Sequence, residues 1–238
     1  MSLYFGYGIV GLKTLALEKL EVKGMEQQLR LIEQGNLAML CSESDEELSA
    51  TPESMRSYTT TLCEVIKSVT IVPLRFGTVF PQEEEIRAVL KSKSKEYLKL
   101  LAKLDQKIEV ELKVWWKKEV FMQTMLKNKR VARWKKALET GNGKGYDVVE
   151  FGKAIEELAN QERMELSKAF GVVLNSIAVD WVVVDSRDEY QVYDGVFLVE
   201  RTREEEFDQA MGQLHDKYSE IMIFKYTGPW APHHFINA

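Results

Sequence analysis

Lys107-Ile108-Glu109-Val110-Glu111-Leu112-Lys113-Val114-Trp115-Trp116 is the stretch on which the reading of the fold turns. Ile108, Val110, Leu112, Val114 and Trp116 alternate with Lys107, Glu109, Glu111, Lys113 and Trp115. Successive side chains of an extended chain point to opposite faces, so this period of two predicts a strand with one buried and one wet face. Downstream, two helical patterns follow over residues 117–139 and 147–170, the second expected to bury Val148, Phe151, Ile155, Leu158 and Leu166. Residues 178–185 and 192–200 read as strands joined by a turn at Ser186-Arg187-Asp188. Thr202 is expected to cap a helix over 203–217, with Glu204, Glu205 and Glu206 in its first turn and Phe207, Ala210, Met211 and Leu214 inward. A last strand covers 219–226, and Gly228-Pro229 is expected to stop it. Strand, helices, strand, strand, helix, strand is the split βαβ order of a ferredoxin-like domain.

Upstream of that strand the same order recurs. Tyr4-Phe5-Gly6-Tyr7-Gly8-Ile9-Val10 reads as a buried strand. Residues 29–32 and 36–41 read as a hairpin around Glu33-Gln34-Gly35. Thr51-Pro52 opens a helix with Met55, Leu62, Val65, Ile66 and Val69 on its apolar face, and Thr70 to Leu74 is a fourth strand. A long helix over 82–104 follows, with Glu83, Glu84 and Glu85 at its start, lysines further along, and Ile86, Leu90, Tyr97, Leu101 and Leu104 close to one face. The connection after the first strand has no clear pattern. The expected fold is therefore α+β: two ferredoxin-like domains, the first with a degraded first crossover, linked by the long helix. The first domain is expected over 1–104 and the second over 105–238.

Composition sets limits on function. The chain has 238 residues, 45% hydrophobic and 29% charged, with a formal net charge of −5. A mildly acidic surface argues against nucleic acid or an anionic membrane as main partner. The apolar run near the start is interrupted by glycines and has no basic segment before it, so it is expected to be a strand and not a signal peptide. No apolar stretch approaches the roughly 20 residues of a membrane span. A cytoplasmic protein is expected, with Cys41 and Cys63 as reduced, partly buried thiols.

Three stretches resemble the gas vesicle protein F/L family. They are the opening Tyr4-Phe5-Gly6-Tyr7-Gly8-Ile9-Val10, the segment Ile71-Val72-Pro73-Leu74-Arg75-Phe76-Gly77-Thr78-Val79-Phe80, and the closing Tyr226-Thr227-Gly228-Pro229-Trp230-Ala231-Pro232-His233-His234-Phe235. The middle one is the most specific, and the three span the chain in family order. This chain departs from the family where Ser57-Tyr58-Thr59-Thr60 stands in place of a His followed by an acidic residue. It departs again at Ala231 (usually Pro) and at His233 (usually Tyr). The resemblance implies a minor gas vesicle protein, cytoplasmic or vesicle-attached, that acts during nucleation without a cofactor. Its implied partner is the major hydrophobic shell protein, together with other minor gas vesicle proteins.

Each residue singled out has two readings. Arg75 and Phe76 could present an anchor to a partner. Alternatively Arg75 is tied to a carboxylate and Phe76 is core, with Gly77 supplying a backbone angle that other residues resist; this architectural reading is preferred. Trp230 is either an exposed anchor or a plug on its own domain, with Tyr226 marking the strand end. Trp115, on the polar side of its strand, is a candidate partner contact. Thr140-Gly141-Asn142-Gly143-Lys144-Gly145 fails the P-loop pattern, because no Ser or Thr follows Lys144 and a helix precedes it. His215, His233 and His234 make a poor metal set, and no metal is expected. No nucleophile–base motif is present, so the chain is not expected to be an enzyme. The function expected is assistance to gas vesicle assembly by binding the hydrophobic shell subunit and limiting its aggregation. The alternative is a small-molecule or nucleotide-processing enzyme on the same scaffold, which a concave site with convergent polar groups would favour.

Overall fold

The structure, a computed structural model, describes residues 3–12, 29–44, 49–139, 148–184 and 188–236, the side chains of Leu138 and Val148 aside. The connection after the first strand, the glycine-rich segment after Glu139 and the turn at Ser186 and Arg187 lie outside these residues. The chain divides into two compact units that interleave along the sequence. The first comprises Met1–Val110, Leu198–Arg201 and Gly228–Ala238, and the second Glu111–Phe197 and Thr202–Thr227.

In the first unit the strands are β1 (Leu3–Gly11), β2 (Leu29–Gln34), β3 (Leu37–Ser44), β4 (Ile71–Pro73) and the short β5 (Val79–Phe80). The sheet order is β2-β3-β1-β4, with β5 pairing β1, and each pairing is antiparallel. Gly35, at φ 63°, allows the tight turn between β2 and β3. A β-bulge at Tyr7 breaks the register between Gly6 and Gly8. Residues 37–42 of β3 are all buried, because both faces of the sheet are covered.

On one face lies α1 (Pro52–Ile66), whose Leu62, Val65 and Ile66 pack on Val10, Ala38, Leu40 and Ile71. Thr51 caps it as expected: its hydroxyl accepts from the Ser54 N–H at 3.1 Å, and Ser54 answers the Thr51 N–H at 3.0 Å. Met55, expected inward, is exposed. It falls in the first turn, before the helix reaches the sheet. Against β2, β3, β1 and β4 lie α2 (Glu83–Ser92) and α3 (Ser94–Leu104). The single long helix expected is thus two helices meeting at Lys93, whose φ of −101° and ψ of 15° leave the helical region. Ser92-Lys93-Ser94-Lys95 offers no apolar side chain to hold the joint, and the Ser92 hydroxyl donates back to the Val89 carbonyl at 3.1 Å. The break rotates the second helix, so Leu100 is buried where Leu101 was expected.

The other sheet has the order β7-β8-β6-β9, from β6 (Lys107–Trp116), β7 (Asp180–Val183), β8 (Gln191–Glu200) and β9 (Met222–Trp230). Numbered within each sheet, both orders read second, third, first, fourth, the ferredoxin-like arrangement. Both sheets are antiparallel and mixed with helices, and the fold is α+β with two ferredoxin-like domains. The helices of the second unit are α4 (Lys118–Met125), α5 (Lys129–Glu139), α6 (Val148–Leu174) and α7 (Glu204–Tyr218).

Four local expectations are corrected here. The helix expected over 117–139 is broken into α4 and α5 near Asn128, whose side chain accepts from the Arg130 N–H at 2.9 Å and so begins a new helix. Along α6, the small Ala154 and Ala159, with Phe170 and Leu174, are the buried residues, while Phe151, Ile155, Leu158 and Leu166 are only half-buried. Thr202 lies in a 3-10 turn, and α7 starts after Arg203, which pairs with Glu206 at 2.8 Å. β9 runs on through the cis Gly228-Pro229 bond to Trp230. It is an edge strand, where the missing proline N–H is tolerated.

Candidate functional site

The three motif stretches meet in the first unit around one tyrosine. Tyr58, on α1, stacks on Tyr7 of β1 with ring centroids 5.7 Å apart. Phe76, in the loop after β4, meets it edge to face at 5.4 Å, and His233 of the C-terminal segment lies 6.2 Å away. The Tyr58 hydroxyl donates to the Leu74 carbonyl. Burial is the main cause that pushes this hydroxyl well above the usual phenol range, so it remains a donor. No sequence signal marked Tyr58 as the centre of the cluster.

The loop after β4 is held by backbone bonds. Leu74 N–H donates to the Tyr7 carbonyl at 2.9 Å and Gly6 N–H to the Thr78 carbonyl at 2.9 Å. Thr78 turns back on the Arg75 carbonyl through its hydroxyl at 2.7 Å. Gly77 has φ 83°, the backbone angle expected of it. Arg75 is exposed, and its guanidinium has no carboxylate partner among the described residues, so the ion pair expected there is not found.

The C-terminal segment is anchored to the same unit. Ala231 and Phe235 are buried. Lys103 Nζ donates to the Phe235 carbonyl at 3.3 Å. Glu109, expected on the wet face of β6, is 4% exposed. Its Oε2 accepts from the His234 backbone N–H at 2.9 Å, and its Oε1 is 2.8 Å from His234 Nδ1. The returning chain covers that face and supplies the donors a buried carboxylate requires. Burial first, then neighbouring His234, lowers the pKa of His233 below the ordinary imidazole value. Trp230 ends β9 half-buried.

In the second unit Trp115 is half-buried, and its Nε1–H donates to Asp188 Oδ2 at 3.1 Å. Tyr226 stacks on Phe207 at 6.1 Å and donates to Asp208 Oδ1 at 2.7 Å. Burial, then that hydrogen bond, raises the Tyr226 pKa far above the phenol range. Both side chains are thus fixed by their own unit.

A different surface of this unit is open. β7 is an edge strand, and Trp181, Val182 and Val183, with Val184 after it, are all exposed. Val184 N–H reaches the Asp194 carbonyl at 2.8 Å, which ties the strand to β8 alone. Beside it, α6 exposes Met164 at 74% and Val172 at 68%. A groove of about 570 Å³ runs between them, lined by Met164, Lys168, Val172, Asn175, Val183 and Tyr193. Sequence reading missed this surface. The Trp-Val-Val-Val run was legible as a strand, but its position at an edge was not.

Among the described residues, no group of three or more His, Cys, Asp or Glu side chains is arranged to hold a metal ion. None of the described helices is long and apolar enough to cross a membrane.

Known proteins share both the sequence and the fold. The chain is 28% identical over 167 residues to gas vesicle protein F of Dolichospermum flosaquae, covering 69% of this chain and 68% of that one. To gas vesicle protein F of a Streptomyces species it is 25% identical over 213 residues, 89% of each chain. The crystal structure of GvpF from Microcystis aeruginosa superposes with a TM-score of 0.81 at 21% identity, covering 100% of this chain and 99% of the other. That of GvpF from Anabaena sp. PCC7120 gives 0.83 at 22% identity, covering 100% and 97%. The family described as gas vesicle synthesis protein GvpL/GvpF matches residues 3–237, and this chain belongs to it.

Proposed function

We propose that this protein assists gas vesicle assembly by binding the hydrophobic shell subunit through the β7 edge and the adjoining face of α6, limiting the subunit's aggregation. The observation that carries this reading is the run of exposed apolar residues 181–184 on an edge strand, next to exposed Met164 and Val172. An edge strand presents unpaired N–H and C=O groups, and natural proteins commonly blunt such edges with charge or proline. Here the edge is flanked by valine and tryptophan. An extended apolar segment of a partner can add to the sheet and cover the side chains at the same time.

Family membership supports the choice of partner. The wall subunit of a gas vesicle is apolar and must stay dispersed until it is built in. The same reading makes the protein cytoplasmic before assembly and vesicle-associated afterwards, with other minor gas vesicle proteins as further partners and no enzymatic step. Arg75 is exposed and available for an added contact. Phe76, Trp115, Tyr226 and Trp230 serve the architecture.

The test is aggregation of purified shell subunit followed by light scattering. Equal amounts of this protein should suppress it, and Val183→Lys with Val172→Glu should abolish the suppression while the fold, checked by circular dichroism, is retained. Suppression by the double variant equal to that of the parent would refute the assignment of this surface.

A further inference from the structure

The first unit contains a cavity of about 140 Å³ between the end of α1, the turn from α3 to β6 and the end of β8. Its polar lining is Lys67, Ser68, Thr70, Gln106, Lys107 and Arg201, and the apolar wall includes Val69, Ile71 and Leu104. No carboxylate lines it. Three cations separated by 40 to 134 positions in sequence are thus brought to one small hollow by the fold. The neighbouring carboxylates are already engaged: Glu64 Oε1 lies 2.7 Å from Lys67 Nζ, and Asp105 Oδ1 accepts from the Thr70 hydroxyl at 2.9 Å. Arg201 donates through one guanidinium nitrogen to the Ile66 carbonyl and closes the C-terminal end of α1. Its other side-chain N–H groups have no partner among the described residues. Lys107 Nζ is held at the rim by the Asp105 carbonyl at 3.1 Å.

Lys107 and Arg201, which have no carboxylate partner among the described residues, with hydroxyl and amide donors beside them, are the chemistry of an oxyanion site, and Lys67, shared with Glu64, adds to it. The volume admits one tetrahedral anion. We propose that this cavity binds phosphate, or the phosphoryl end of a small phosphomonoester. The site is independent of the apolar surface on the second unit, and nothing in the shell-subunit reading requires it.

The experiment is a titration of the full chain, followed by amide NMR shifts, with inorganic phosphate in one arm and glycerol phosphate in the other. Sodium chloride at matched ionic strength is the control. Saturable shifts centred on Ser68, Thr70 and Lys107 are expected. Tighter binding of phosphate assigns the free ion, and tighter binding of glycerol phosphate assigns the phosphoryl end. Lys107→Gln should weaken binding roughly threefold to tenfold, the range for one partly exposed charge-assisted bond. Arg201→Lys, which keeps a donor for the Ile66 carbonyl, should weaken it as well. Shifts that fail to saturate in both arms, that chloride reproduces, or that survive Lys107→Gln unchanged would overturn the proposal.

Discussion

Replacing Glu109 by Leu should loosen the C-terminal segment without unfolding the unit that holds it. The Glu109 side chain is 6% exposed, and both its oxygens are occupied by His234. An ionised carboxylate only accepts, so His234 Nδ1 must carry the proton in this pair. Leu keeps much of the volume and offers no acceptor. Both bonds are therefore lost. A hydrogen bond to a charged group contributes about 1.5–3 kcal/mol. The His234 ring is 48% exposed, and solvent reduces its share to well under about 1 kcal/mol. The backbone bond carries the remainder, and the net loss is about 2 kcal/mol. That corresponds to roughly a thirtyfold larger population of the released segment. Hydrogen exchange of residues 231–236, read by mass spectrometry under native conditions, should accelerate by that factor. Buried Ala231 and Phe235, with the Lys103 bond, keep the segment from detaching altogether. Exchange within about threefold of the parent, less than about 0.7 kcal/mol, would refute the argument. So would equal acceleration across the whole first unit, because the effect would then be global.

Gly8→Ala should destabilise the first unit by about 1–3 kcal/mol in urea denaturation, the usual cost of overpacking. An added Cβ would lie 2.5 Å from Ile71 Cδ1 and 2.8 Å from the Val72 carbonyl oxygen, and the backbone atom cannot swing aside. The first unit should also lose stability as pH falls below about 6.5, the unfolded imidazole value, because the unfolded chain then binds a proton that buried His233 resists. The loss is complete below the depressed folded value, and His233→Asn should flatten the pH profile of denaturation midpoints. Iodoacetamide should label Cys63 well before Cys41. Burial drives the Cys41 thiol up to about 12, and the thiol donates to the Arg30 carbonyl, so mass spectrometry showing equal rates would contradict the packing of β3.

The element types and their order were set within the sequence itself. Alternation over Lys107–Trp116, the Thr51-Pro52 cap and the acidic starts of α2 and α7 are local, because side-chain direction repeats every two residues in a strand and every 3.6 in a helix. The order of those elements was sufficient to give the ferredoxin-like plan of both sheets. The three motif stretches pointed to the family by residue identity alone. What tertiary structure decided is everything that depends on which distant segment covers a face. Glu109 obeys the alternation yet is buried, because the C-terminal segment returns over it from 125 positions away. Tyr58 looked like an ordinary helix residue until β1, the loop after β4 and that same segment met around it. The valines of β7 read as a strand and lie open, since a strand's pattern records its apolar content and only the packing around it decides whether those side chains are covered.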